Sequence, residues 1–419
     1  MRPAEPNGAA DVIEWSETEL LVRDSVRAFV DKEIRPRADE LEHGDLPPYD
    51  IIRKLAKSFG LDALAKDRFA KSIERQNAGT AGEPEKDDSG GSLSAEDAAT
   101  MLAYIEICKV SLGITAAMGV SVGLAAQTIM SKGSVEQQQR WALDLLTFDK
   151  IGAWAITEPN SGSDAFGGMT TSVRSVDGGG YVLNGQKTFI TNGPYADTIV
   201  VYAKLDDGSE PDRRRRQVLT FVLDTGMPGL TQTKPMRKMG MHSSPTGELF
   251  FDNVHLDPDR QLLGGSSDGR ESARSNFTVE RVGIAAMSLG IIEECLRLCV
   301  DYARSRELWG QRIGSFQLIQ LKLAQMEVAR LNVQNMVFRA IEMGRAGRQM
   351  TLAEASALKL YSSTAATEVA MEAVQLFGGN GYMSEYRVEQ LARDAKSLMI
   401  YAGSNEVQVT HIARGLLSD

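Results

Sequence analysis

The chain has 419 residues, of which 42% are hydrophobic, so at roughly 150 residues per domain it can fold as two or three domains around a large core. Lys plus Arg number 46 against 56 Asp plus Glu, and a formal net charge of −10 argues against a general nucleic-acid binder. Three cysteines (Cys108, Cys295, Cys299) and four scattered histidines (His43, His242, His255, His411) give neither a disulfide framework nor ligand spacing, so no metal site is expected.

The opening MRPAEPNGAADVIEW has no apolar signal core and no Arg/Ser-rich amphipathic pattern. No uninterrupted apolar run long enough to span a bilayer follows. The expectation is a soluble chain in a reducing compartment, most simply the cytoplasm. Residues 1–150 read as an α-helical domain. Leu20, Leu21, Val26, Phe29 and Val30 keep a helical period, and Tyr49–Leu64 and Ala95–Thr128 look similar. Asn77–Ser94 is rich in Gly, Ser and charge and reads as a mobile surface loop.

Residues 151–272 change texture. Short β-branched or aromatic runs at Tyr181–Gly193, Thr198–Ala203, Val218–Leu223 and Gly247–Leu256 are separated by turn residues, which predicts an antiparallel β domain. Asn184-Gly185 is a hairpin signal. Arg213–Arg216 sits between two such runs beside Asp206, Asp207, Glu210 and Asp212, and reads as a solvated hairpin loop.

Residues 273–419 return to helix. Ile319, Leu323, Met326, Val333, Val337 and Ile341 form a stripe of bundle type. Cys295 and Cys299, four apart in an apolar stretch, read as core. Thr351 with Glu354 is a capping box, and the helix it opens stops at Gly378-Gly379. The fold class is α+β, mostly α: an N-terminal helical domain, a middle antiparallel β domain and a C-terminal helical bundle.

No GxGxxG follows a strand, and neither GxSxG nor HExxH occurs. The chemistry is sought in four less familiar segments. Ala153–Asp164 (AWAITEPNSGSD) offers hydroxyls and backbone amides that could wrap a flat polar ring or a phosphate, although a plain loop has the same composition. Phe189-Ile-Thr-Asn-Gly193 places an aromatic beside a hydroxyl, enough to cover one ring face and bond its edge. Gln375–Gly381 has three glycines in four positions, where a helix stop needs one. In Ile400–Val407, Ser404 is a natural N-cap whose helix end could also hold an anion.

Taken together, in this order and at these separations, the TEP…SGSD run, the ITNG run, Arg306-Glu-Leu-Trp-Gly310, Gln375…GGNG381 and the C-terminal AGSNEV resemble the acyl-CoA dehydrogenase family of flavoproteins over residues 15–415. The resemblance implies one FAD per subunit, a homotetramer built as a pair of dimers, an acyl-CoA substrate and an electron-transfer flavoprotein as acceptor. It implies FAD contacts from Ile156, Thr157 and Ser163, and from Phe189, Ile190 and Thr191 on the other side of the ring. Arg306, Trp309, Gln317, Gln375, Gly378 and Gly379 would hold the FAD of the neighbouring subunit, and Ser404, Asn405 and Glu406 would complete the site. Ser163, Phe277, Thr278, Arg281, Ala402 and Gly403 would contact substrate.

The implied reaction is α,β-dehydrogenation of an acyl-CoA thioester to the trans-2-enoyl-CoA. A carboxylate takes the α proton while a hydride leaves the β carbon for flavin N5. Fixed donors must stabilise the developing oxyanion, one of them the Ala402 N–H. Most of the family carries Glu where this chain has Ala402. Isovaleryl-CoA and long-chain acyl-CoA dehydrogenases instead carry it on the first C-terminal helix just before an Arg, as Glu280 precedes Arg281 here. Glu280 is therefore the expected base, with a raised pKa in a buried pocket. Ala402 opens volume for a branched or bulky acyl chain. His242 stands where the family has Arg, which touches the nucleotide contact rather than the chemistry. Two other readings remain open: a catalytically silent subunit of a hetero-oligomer, and an oxygen-using flavoenzyme on the same fold.

Overall fold

The computed structural model describes residues 15–44, 46–78, 95–176, 179–265 and 267–418. The mobile loop expected over 77–94 lies, from 79 onward, outside the described residues. Helices fill the first third: α1 Glu17–Phe29, α2 Ala38–His43, α3 Tyr49–Ser58, α4 Leu61–Asn77, α5 Ala95–Cys108, α6 Leu112–Met118, α7 Gln127–Lys132, α8 Val135–Gln137 and α9 Leu143–Leu146. Ser16 opens α1 with a capping box to Glu19.

Two of the expected helices are each broken in two. Gly60, at φ 63, separates α3 from α4. Ser111, whose hydroxyl accepts from the Ile114 N–H, starts α6 afresh after α5. Between α6 and α7 the rod continues through a wide π turn, Gly119–Ala126. By length and composition Leu112–Lys132 could cross a bilayer, against the expectation from the sequence, but 67% of its apolar window is buried inside the fold. Ile114 and Ala117 pack into one core, and Ala125, Ala126 and Ile129 into another, so the rod is apolar because both its sides are covered.

An eight-stranded sheet follows: β1 Gly152–Ala155, β2 Ser172–Ser175, β3 Tyr181–Thr191, β4 Thr198–Leu205, β5 Val218–Asp224, β6 Leu230–Gln232, β7 Thr246–Leu256 and β8 Leu262–Leu263, with short helices α10 Ala165–Gly168 and α11 Pro258–Gln261. The order is β6-β7-β3-β2-β4-β5-β8, with β1 joining β4. Pairing is antiparallel except that β1 and β2 lie parallel to β4. Parallel neighbours need a crossover rather than a tight turn.

The hairpin expected at Asn184-Gly185 is absent. β3 runs straight through it, with an irregularity in its pairing to β7 between Leu183 and Gly185. Gly185 sits at φ 145, and a Cβ there would lie 2.7 Å from the Thr171 Cα. Glycine at this point admits the approach of the chain entering β2; it does not reverse the strand. β2 and β3 pair as an antiparallel hairpin closed before Tyr181, and β4 and β5 form another, with Arg213–Arg215 exposed in its loop as expected.

The C-terminal bundle comprises α12 Gly269–Ser305, α13 Gln317–Arg345, α14 Leu352–Phe377, α15 Val388–Leu398 and α16 Asn405–Leu417, with a small hairpin of β9 Glu307–Leu308 and β10 Gln311–Arg312. Thr351 and Glu354 form the capping box of α14, and Gly378 ends it at φ 62. On α13 the stripe Met326, Val333, Val337 and Ile341 is buried, with Ile319 and Leu323 at its edge. Cys295 and Cys299 are fully buried in the same core. The helical, β, helical order read from the sequence is the order of the fold.

Candidate active site

A cleft of about 1740 Å³ opens between the sheet, the C-terminal bundle and the π turn. Four segments bring predicted residues to it: Ile156, Thr157 and Ser163 after β1; Phe189, Ile190 and Thr191 ending β3; Phe277, Thr278, Glu280 and Arg281 on α12; and Ala402 with Gly403 before α16.

The sheet wall is braced from behind. The Glu158 carboxylate accepts from the Thr170 N–H and hydroxyl, from the Thr171 N–H at 2.9 Å, and from Lys187 Nζ at 2.9 Å. Lys187 Nζ also donates to the Ile156 carbonyl, so one ammonium ties the loop after β1 to β3. Both side chains are buried. Burial alone would raise the Glu158 pKa, but Lys187 and the threonine donors hold it at about 2. The Thr188 N–H donates to the Thr157 carbonyl, fixing the two segments together at the cleft. A pairing irregularity between Lys187 and Ile190 then turns Phe189 out at φ 57, with its ring 63% exposed, while Ile190 stays buried. Asn192 anchors the end of β3 from inside: its amide donates to the Ala117 and Gly152 carbonyls and its oxygen accepts from Tyr49.

The bundle wall is arranged differently. Glu280 is half-buried, and among the described residues no donor hydrogen-bonds its carboxylate. Burial pushes its pKa up to about 7, against the pull of Arg281 and Lys359. Both cations are committed elsewhere. Arg281, 2% exposed, donates to the Ser356 hydroxyl and lies against His411 Nδ1, with its guanidinium 5.7 Å from the Phe277 ring centroid. Lys359 Nζ donates to the Gly403 carbonyl and to Asn405 Oδ1, each at 2.9 Å, and burial pushes its pKa down to about 8. Gln408 donates to the Ala402 and Gly403 carbonyls. Ala402 and Gly403 sit at φ 57 and 79, a conformation these inward-held carbonyls maintain.

Among the described residues, the carboxyl groups lining the cleft are those of Asp164 and Glu280. Asp164 is exposed and ion-paired with Arg214 at 2.9 Å.

The remaining predicted residues lie outside this cleft. Ser404 occupies the N-cap position of α16, but its hydroxyl makes no capping bond to the helix. It bonds Glu406, which it and the Glu406 N–H hold below the usual carboxylate range. Asn405 is buried and bonded to Lys359, Ser363 and Thr364, a structural role. Arg306, Trp309, Gln317, Gln375, Gly378 and Gly379 are exposed at one end of the bundle. There Tyr302 stacks on Phe377 at 4.0 Å and Trp309 meets Phe316 edge-on at 5.7 Å. They form their own surface. His242 bonds the Glu42 and Lys238 carbonyls and does not line the cleft.

Sequence reasoning passed over Glu158, Lys187, Lys359 and Asn192. A signal existed for two of them. Lys187 alternates with Leu183 on the inward face of its strand, and Lys359 lies in the small-residue stripe of α14 with Ala355, Ser362 and Ala366. A lysine on a buried face requires a partner.

Comparison with known proteins adds the following. Three family models match: acyl-CoA dehydrogenase N-terminal domain over residues 16–68 and 71–149, middle domain over 153–254 and C-terminal domain over 267–417. An acyl-CoA dehydrogenase of Bacillus subtilis (strain 168) is 36% identical over 402 residues, covering 96% of this chain and 98% of the relative. A mitochondrial isovaleryl-CoA dehydrogenase of Oryza sativa subsp. japonica is 32% identical, covering 98% and 94%. The butyryl-CoA dehydrogenase of Megasphaera elsdenii superposes with a TM-score of 0.81 at 32% identity, covering 97% and 99%. A glutaryl-CoA dehydrogenase of Mycobacterium smegmatis, solved in complex with FADH2, gives 0.79 at 28% identity, covering 98% and 97%.

Proposed function

The chain belongs to the acyl-CoA dehydrogenase family of oxidoreductases, and from that premise we propose that it binds FAD in this cleft and uses Glu280 to remove the α proton of an acyl-CoA. The observation that carries the proposal is the placement of carboxylates. Among the described residues Glu280 is the one cleft carboxyl without a hydrogen-bonded partner, and position 402, with only a methyl group, offers no acceptor.

The cleft suits a flavin. Phe189 presents an open ring face, Thr157 and Thr191 bring hydroxyls, and the Trp154 Nε1 in the same wall is a buried donor with no partner. FAD, when bound, supplies the acceptor for the hydride leaving the substrate β carbon. The chain's own residues do the rest. A carboxyl with a pKa of about 7 is ionised in half the molecules at neutral pH and strong enough as a base to take a thioester α proton. The Ala402 N–H meets no acceptor among the described residues and is the donor for the developing enolate oxygen. Lys359 and Gln408 hold the peptide behind it in place. Arg281, bonded to Ser356 and His411 through its terminal nitrogens with its buried Nε unpartnered, positions Glu280 and the Phe277 ring.

The methyl of Ala402 leaves space beside the reacting carbons, which favours branched or bulky acyl chains. The exposed group Arg306, Trp309, Gln317, Gln375, Gly378 and Gly379 is assigned to the FAD of an adjacent subunit in a homotetramer, and an electron-transfer flavoprotein to the reoxidation of the flavin.

The test is anaerobic bleaching of the yellow flavin absorbance by straight and branched acyl-CoAs, with Glu280→Gln in parallel. Bleaching by the wild type and not by the variant supports the assignment. No bleaching by any acyl-CoA overturns it in favour of a silent subunit or an oxygen-using enzyme.

A further inference from the structure

Tyr104, on α5, stands across the cleft from one wall to the other. Its hydroxyl oxygen lies 3.8 Å from the point where a Cβ would stand on Gly119, in the π turn. Its Cε2 lies 3.9 Å from the point where one would stand on Gly283, on α12. Removing those absent Cβ atoms adds only about 1.5 Å, one C–C bond, to each gap. A methylene needs about 4 Å from heavy atoms on each side, so neither gap passes an alkyl chain.

The position of this bar matters. Gly283 follows Glu280 by three residues on α12, so the two share a face, about 5–6 Å apart. The Tyr104 ring therefore meets α12 about one helical turn along from Glu280, a length that holds roughly four C–C bonds. Sideways the cleft is open. Gly123, the next glycine of the π turn, also lines it, and a Cβ there would meet nothing within 4 Å. Lengthwise the pocket is stopped; laterally it is not.

We propose that Tyr104 closes the far end of the acyl pocket and that the glycines of the π turn give it width, so that the enzyme takes short and branched acyl-CoAs and rejects long straight ones. This inference rests on the dehydrogenase reading above. The experiment compares rates of anaerobic flavin bleaching over a graded series of straight and branched acyl-CoAs for the wild type, Tyr104→Ala, Tyr104→Phe and Gly123→Leu, each checked for its FAD content.

Tyr104→Ala is expected to shift the preference towards longer straight chains by about 10- to 100-fold, at roughly fourfold for each methylene newly buried. Tyr104→Phe keeps the ring and the length limit. Gly123→Leu fills the lateral space and is expected to lower the branched-to-straight ratio by about tenfold or more. If Tyr104→Ala fails to retain FAD, the Gly123→Leu ratio decides. Unchanged ratios in a wild type that bleaches overturn the inference and leave the proposed function standing. A wild type that no acyl-CoA bleaches overturns both.

Discussion

The two walls of the cleft each carry a buried or half-buried glutamate near lysine or arginine, and they treat it in opposite ways. Glu158 is closed in by Lys187 and the Thr170 and Thr171 donors, and its pKa is held at about 2. Glu280 has Arg281 and Lys359 nearby, yet its pKa is pushed up to about 7. Lys187 Nζ stands 2.9 Å from the Glu158 carboxylate, whereas among the described residues no cation forms an ion pair with Glu280. The difference is whether donors close on the carboxylate. Around Glu280 the cations have been taken up by Ser356, His411, Gly403 and Asn405, and what reaches the carboxyl is mostly the cost of burial. One glutamate is spent on rigidity. The other is kept reactive.

The sharpest test of that contrast is kinetic. Glu280→Gln should keep FAD and lower the rate of flavin reduction by about 10²–10⁴-fold or more. A variant that still reduces flavin at near wild-type rate would show that the reactive carboxyl lies elsewhere. Second in size is Lys187→Met, which leaves Glu158 buried and unpaired and should cost about 3–5 kcal/mol in urea unfolding at neutral pH. Replacing both residues by apolar ones should recover much of that loss, and a single variant of wild-type stability would mean that the brace does not exist.

The pH dependences should also part. The rate of flavin reduction is expected to rise with pH through about 7, as Glu280 loses its proton. The Glu158 pair acts at the other end of the scale. Its folded pKa lies below the ordinary 4.5, so its stabilisation is complete above 4.5 and is lost as the pH falls towards 2. The smallest effect concerns stability at Glu280. Its folded pKa is raised, so the folded state is favoured with the proton on, and stability falls as pH rises from 4.5 through 7. Glu280→Gln should then match wild type in thermal melts near pH 4.5 and exceed it by about 1–2 kcal/mol above pH 7, after allowance for the solvent that reaches this half-buried group.

Much of this was legible in the sequence, and unevenly. The bundle stripe of α13, the Thr351 cap and the Gly378 stop are local, periodic signals, and they were read correctly. Asn184-Gly185 was misread because its glycine answers to Thr171, fourteen residues earlier, and no local pattern shows that contact. The breaks at Gly60 and Ser111 were legible one residue at a time but were outweighed by the apolar period around them. Phe277 to Arg281 and Ala402-Gly403 stood out as an Ala in place of a Glu and a Glu-Arg pair. Their meeting on the bundle wall of the cleft is a tertiary fact. So is the commitment of Lys359, which turns a nearby positive charge into a support for the Ala402 peptide and leaves Glu280 unpaired.

The π turn at Gly119–Ala126 can be put in terms of chain length. A turn that bonds five residues ahead holds one residue more than the α-helix it interrupts, and each helical residue turns the chain by about 100°. Deleting a single residue, Val122 for example, would let Leu112–Lys132 wind as one regular helix. Everything from Gly123 onward would rotate by about that angle, and Ala125, Ala126 and Ile129 would turn out of the core they now fill. The tolerance of this helix to insertion and deletion is therefore coupled to the width of the cleft. A lineage that gained or lost one residue here would change what the pocket admits without altering any side chain that touches the reaction.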